Sequence, residues 1–188
     1  MKKIFILGAG SHAKNVETLI NKKTIFLDKS KNIKNSKEKN DEFFFREILK
    51  KKIKYELYMG IGNPNYLRIG AFEKFKKKGA IFKKFIHKQS YITKNLKIGE
   101  GSVIFPNVTI GNNVNIGYNC IIYSNSVIEH DSIISNHCYI APSATICGNV
   151  KIEEGTFVGA NACIVENIFV KKNSFVKANS LIKKDIIS

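Results

Sequence analysis

From Ile86 to Ile182 every sixth residue is Ile or Val, running Ile86, Ile92, Ile98 and onward through Val170, Val176 and Ile182 without a slip of phase. A period of six fits neither the 3.6-residue turn of a helix nor the two-residue alternation of a simple strand. It fits a parallel β-helix, in which short flat faces meet at corners and the aliphatic residue of each face points inward. Three hexads then make one triangular coil, and coils stack at about 4.8 Å through parallel strand hydrogen bonds. Four places after the aliphatic the residue is small or apolar, as at Val108, Val114, Cys120, Ser126, Ser132, Cys138 and Ala144, and is predicted to fill the corner. The place directly after it is often glycine, as at Gly99, Gly111, Gly117 and Gly159. Cys120 and Cys138 stand three hexads apart, which puts them in one corner of adjacent coils as buried fillers. No two cysteines form a CxxC pair, so a zinc knuckle is not indicated and reduced thiols are expected.

Residues 1–85 follow a different rhythm. Lys3–Leu7 reads as a strand that ends in Gly8-Ala9-Gly10 and opens an amphipathic helix carrying Val16, Leu19 and Ile20. Thr24–Leu27 reads as a second strand ending at Asp28, followed by a solvated loop over Lys29–Asn40 and a short helix over Phe43–Lys52. Tyr55–Met59 is a third strand, closed by Gly60-Ile61-Gly62-Asn63-Pro64, and a helix follows over Tyr66–Lys78. The pattern β-α-β-α-β-α predicts a small, Rossmann-like α/β subdomain with a parallel sheet. The expected division is therefore 1–85 and 86–188.

The formal charge is +16, which raises nucleic acid as a partner. Lysine far outnumbers arginine, whose planar fork reads guanine edges, so a nucleic-acid reader is not expected. The lysines lie among Asn and Ile, as in a chain from an AT-rich genome, and describe a solvated surface. Its field also attracts small polyanions such as CoA or a nucleotide-sugar. No apolar run reaches the roughly 20 residues of a membrane span, and the apolar start at Ile4–Leu7 is too short for a signal peptide. A cytoplasmic location is expected.

Two groups of residues can carry chemistry. Gly8-Ala9-Gly10 lies between strand and helix, where backbone N–H groups and the helix N-terminus favour an anion. Asp28 lies where a ribose-binding acid would sit. A tight strand-to-helix turn without a ligand remains the competing reading, and three strands make an NAD site less suitable. His130 lies between Glu129 and Asp131 and faces outward, so an acid can hold one tautomer and make it a better base. That suits a general base near neutral pH. Gly148 follows three hexads later, at the same place on the next coil. A metal-dependent β-helix enzyme needs three convergent histidines, but His137 shares no hexad position with His130 and His87 is more than two coils from it, so no metal is expected.

An α/β half followed by hexapeptide repeats resembles the NeuD/PglD-like sugar acyltransferases. The matching segments are Gly8-Ala9-Gly10-Ser11-His12, Phe26-Leu27-Asp28, Ile61-Gly62-Asn63, Asn125–Asp131 and Ala141–Val150. The resemblance implies a left-handed β-helix, a homotrimer, and acetyl-CoA as co-substrate in a groove between neighbouring β-helices. It implies His130 as the base, Asp131 as the acid that raises its basicity, and Gly148 as the contact to the thioester. It places the nucleotide of an amino-sugar acceptor against Gly10, Ser11, His12, Asp28, Lys29 and Gly62. A second histidine that contacts acetyl-CoA in the family is replaced here by Tyr139, with His137 two residues before it. The function implied is N-acetylation of a UDP-linked 4-amino-4,6-dideoxy sugar in bacterial surface glycan biosynthesis. O-acetylation of a sialic-acid-like sugar, and a non-catalytic β-helix that binds a nucleotide-sugar, remain as alternatives.

Overall fold

The computed structural model describes residues 2–28, 38–63 and 65–187. The chain divides into two compact units, Met1–Lys83 and Lys84–Ser188, two residues earlier than the expected division.

In the first unit, β1 (Lys3–Leu7), β2 (Ile25–Leu27), β3 (Glu38–Lys39) and β4 (Tyr55–Met59) form one parallel sheet in the order β3-β2-β1-β4. Strand β3 falls in the stretch read as loop, so the sheet has four strands rather than three. Two residues are too few for periodicity to show. Pairing with Phe26 and Leu27, not propensity, makes them a strand. Strand β1 is central, and its Phe5, Ile6 and Leu7 are buried as a continuous apolar run, as a covered parallel strand requires. Helix α1 (Ser11–Ile20) buries Ala13, Val16 and Ile20. Helix α2 (Asp41–Phe43) is capped by Asn40, whose side chain accepts from Phe43 N–H at 2.8 Å, and runs into a wider helical turn over Phe44–Leu49. Helix α3 (Asn65–Lys77) buries Ala71, Phe72 and Phe75. Phe44 meets Phe5 edge-on at 5.2 Å and Phe75 at 5.5 Å, so the aromatic core ties α2 and α3 to the sheet.

The second unit is the left-handed parallel β-helix. Two-residue strands lie in three parallel sheets of five, six and six strands, and every partner lies three hexads away, as in Ile122 against Ile140 and Ile128 against Ile146. The inward aliphatics from Ile104 to Val176 are almost wholly buried. Each contributes roughly 1.5–3 kcal/mol of apolar transfer.

The corners explain two other residue choices. Ser126, Ser132 and Cys138 are buried and donate to the carbonyls of Ala141, Cys147 and Glu153, at 3.2, 2.9 and 3.2 Å. They fill the corner as expected and also satisfy an acceptor that a buried turn would otherwise leave open. Every sixth position from 95 to 179 has positive φ and is mostly Asn, with Gly101, Asp131, His137, Ser143 and Gly155 as the other occupants. Asn and Asp tolerate this left-handed region because a short polar side chain bonds locally.

Candidate functional site

The first unit opens a cavity where its sheet reverses direction. From β1 the chain moves outward to β2 and β3, then returns to β4 on the other side of β1. Ligands of open α/β sheets bind at such switch points, beyond the carboxyl ends of the strands. A cavity of about 450 Å³ lies there, and Gly10, Ser11, His12, Asp28 and Gly62 all line it. Lys29 lies outside the described residues. A Cβ on Gly60 would collide with Ile6 and come within 2.9 Å of Ala13, so this glycine lets α1 pack on the sheet. Gly10 differs, because a Cβ there would meet nothing within 4 Å. Packing does not require Gly10, and its bare backbone leaves the cavity open beside the start of α1. No side chain caps that helix, and its first turn holds no acid. Its leading N–H groups suit an anion.

Two titratable groups shape the cavity further. Burial, with Arg68 adding a like charge, pushes the His12 imidazole down to about 4, so it is neutral at pH 7. Asp41 is buried on the cavity wall and accepts from Lys74 Nζ at 2.6 Å through Oδ2. Its Oδ1 is buried with no hydrogen-bond partner. A buried carboxylate oxygen left open costs about 1–3 kcal/mol, which an N–H or O–H donor in the cavity would recover. The sequence reading missed Asp41. Its sign was Asn40-Asp41-Glu42, a helix start placed just after a strand.

In the second unit His130 and Asp131 form the turn between Val127–Ile128 and Ile133–Ile134. The turn is pinned from both sides, since Asp131 N–H donates to Asn112 O at 2.9 Å and Asn149 N–H donates to His130 O at 3.0 Å. Gly111 lets this coil pass, because a Cβ there would lie 2.6 Å from His130 N. His130 Nδ1 lies 2.8 Å from Asp131 Oδ2, and Asn113 Nδ2 donates to Asp131 Oδ1 at 3.0 Å. Those two bonds, His130's first, hold the Asp131 carboxyl below the usual carboxylate range. An ionised carboxylate only accepts, so the proton of a neutral His130 sits on Nδ1 and the lone pair on Nε2. A Cβ on Gly148 would lie 2.8 Å from both Nε2 and Cε1. The expected pairing of His130 with Asp131 and Gly148 is thus one tight cluster, and half of the histidine's surface remains open. Gly148 N–H donates to no backbone carbonyl among the described residues, while Gly148 O accepts from Asn167 N–H at 3.1 Å.

Tyr139 is not brought to this cluster within one chain. It belongs to another sheet, in register with Ile121 and Phe157, and stacks on Phe157 at 4.8 Å. His137 is almost fully buried at a corner, 2.7 Å from Asn119 Nδ2 and edge-on to Tyr118, so its role is in the fold. Among the described residues no group of three or more His, Cys, Asp or Glu could hold a metal ion, and no helix is long and apolar enough to cross a membrane.

Comparison with known proteins bears on the repeats and the fold. The profile for bacterial transferase hexapeptide (six repeats) matches residues 131–166, and that for the hexapeptide repeat of succinyl-transferase matches 107–141 and 149–184. A comparison by sequence with curated proteins finds no match. Among solved structures, the acetyltransferase domain of PglB from Neisseria gonorrhoeae in complex with acetyl coenzyme A superposes with a TM-score of 0.88 at 22% identity. That match covers 98% of this chain and 92% of that one. PerB from Caulobacter crescentus, in complex with CoA and GDP-perosamine, gives 0.87 at 22% over 99% and 91% of the two chains. WeeI from Acinetobacter baumannii gives 0.87 at 21% over 99% and 93%. The chain carries hexapeptide repeats and has the fold of these acetyltransferases, the fold that the resemblance to NeuD/PglD-like sugar acyltransferases implied.

Proposed function

We propose that the protein is an acetyl-CoA-dependent N-acetyltransferase for a nucleotide-linked amino sugar, a UDP-linked 4-amino-4,6-dideoxy sugar in the first instance. The observation that carries this reading is the His130–Asp131–Gly148 cluster on a fold shared with PglB and PerB. An amine attacking a thioester must lose a proton, and the carbonyl oxygen gains negative charge. His130 Nε2 takes that proton, while Asp131 holds the ring in the required tautomer and stabilises the imidazolium. The Gly148 N–H donates to the carbonyl oxygen. A C–N bond forms, the C–S bond breaks, and the proton leaves with the CoA thiol. The cavity of the first unit receives the nucleotide, with its phosphates at the start of α1 and its ribose at Asp28.

A GDP-linked acceptor is the second reading. PerB is solved with GDP-perosamine, and the open oxygen of Asp41 suits a base that presents N–H donors. We assign the trimer, the cytoplasmic location and the glycan pathway on the resemblance alone. The test is release of free thiol from acetyl-CoA by the purified protein against matched UDP- and GDP-amino-sugars. Release with an amino sugar, and its loss in His130→Ala by about 10²–10⁴-fold, is the expected result. Tight sugar binding without thiol release would make the protein a binding scaffold.

A further inference from the structure

One corner of the β-helix carries Asn95, Asn113, Asp131, Asn149 and Asn167, stacked one per coil and all in the left-handed conformation. Asp131 is the single acid among them. Asn95 Nδ2 donates to Asn113 Oδ1 at 3.1 Å, and Asn113 Nδ2 donates to Asp131 Oδ1 at 3.0 Å. Asp131 Oδ2 then meets His130 Nδ1 at 2.8 Å. The direction of this chain is fixed at its far end, because an ionised carboxylate can only accept and Asn113 must therefore turn its amide nitrogen toward Asp131. We propose that Asn113, itself oriented by Asn95, is a positioning residue that holds the Asp131 carboxylate so that its second oxygen aligns the His130 ring.

The inference rests on the acyl-transfer reading of His130. Its physical basis is that Asp131 is exposed and free to turn about its side-chain torsions unless its first oxygen is tied. The Asn113 amide supplies that tie from the coil next to it. Asn113 does not touch the reacting atoms and acts only through Asp131.

The chain contains its own control for a merely structural role. Asp131 adopts φ 59° at this corner, the same as Asn113, so Asp is accommodated by this backbone. Asn113→Asp keeps size and conformation but removes the donor and sets a second carboxylate against Asp131. Asn113→Gly keeps the conformation and removes the side chain. Each is assayed for kcat and for the KM of acetyl-CoA, with melting temperature alongside and His130→Ala as reference. The expected result is kcat lowered roughly three- to tenfold in both variants, the worth of a single hydrogen bond, with KM for acetyl-CoA within twofold. Asn113→Asp should also recover toward wild type relative to Asn113→Gly as pH falls and the new carboxyl gains a proton that it can donate. Wild-type kcat in Asn113→Asp, with His130→Ala inactive, would overturn the inference and leave the reading of His130 standing. Wild-type kcat in His130→Ala would overturn that reading itself.

Discussion

Substituting Gly148 by alanine separates the placement of His130, the proposed base, from the stability of the fold. Gly148 has no positive φ, so the backbone accepts alanine without strain. The added methyl would stand 2.8 Å from Nε2 and Cε1 of His130. Ordinary contact begins near 3.5 Å, so the ring must withdraw by about 0.7 Å. It can do so cheaply, because the contact is with the far end of a side chain that is 57% exposed. Stability should therefore change by less than about 1 kcal/mol. The chemistry is less forgiving, since a displacement of about 1 Å costs on the order of 10²-fold in rate. We expect kcat to fall roughly 10- to 100-fold, although the Gly148 N–H itself is retained. The assay is thiol release under saturating acetyl-CoA and acceptor, on the single variants and on Gly148→Ala combined with His130→Ala. If the methyl acts by moving the imidazole, it should have almost no effect once the imidazole is gone. A variant with more than about half of wild-type kcat, or an undiminished effect in the His130→Ala background, would refute the reasoning.

Three further outcomes follow from the same geometry. Asp28→Ala should raise KM for the acceptor about 10- to 100-fold, the worth of a charged hydrogen bond of about 1.5–3 kcal/mol, and leave KM for acetyl-CoA unchanged in steady-state kinetics. His12 has its proton affinity lowered from 6.5 to about 4, so the unfolded chain binds its proton more readily than the native state. Stability should be full above about pH 6.5 and decline by up to about 3 kcal/mol as pH falls toward 4. Urea titrations of wild type and His12→Gln between these limits check this, and the variant should lose that slope. His137→Ala should cost about 1–3 kcal/mol of stability through the lost contact with Asn119, with kcat within twofold at a temperature where the variant is folded.

The β-helix was legible because its periodicity is enforced at every coil: one inward residue per face leaves no room for a polar side chain. The cluster around His130 was legible for a related reason, since a spacing of three hexads converts directly into adjacency, as Gly148 shows. What escaped notice was the meaning of the asparagines. Read as the residue of an AT-rich composition, they recur every sixth position because the corner needs left-handed backbone, and that same regularity places Asn113 on Asp131. In the first unit the strands and helices followed from their apolar runs, but β3 and Asp41 did not. Both depend on pairing and packing with segments distant in sequence, Phe26 for one and Lys74 for the other. Tyr139 was named by likeness to a motif, and the hexad phase puts it on a different face from His130 within one chain.

The unbroken hexad phase restricts how this half of the molecule can change length. Losing or gaining one residue anywhere between Ile86 and Ile182 would turn every later inward aliphatic toward a corner or toward solvent. Gaining one hexad would restore the inside but rotate all that follows onto the next face. Placed between His130 and Gly148, such an insertion would carry the glycine away from the imidazole. Only whole coils can be added or removed with the faces kept in register, and only outside the span from Asn95 to Gly148 if the His130 cluster and its asparagine chain are to survive. A variant lengthened by one complete coil after Gly148 should therefore keep the contact between His130 and the glycine, whereas one lengthened by a single hexad between them should lose it.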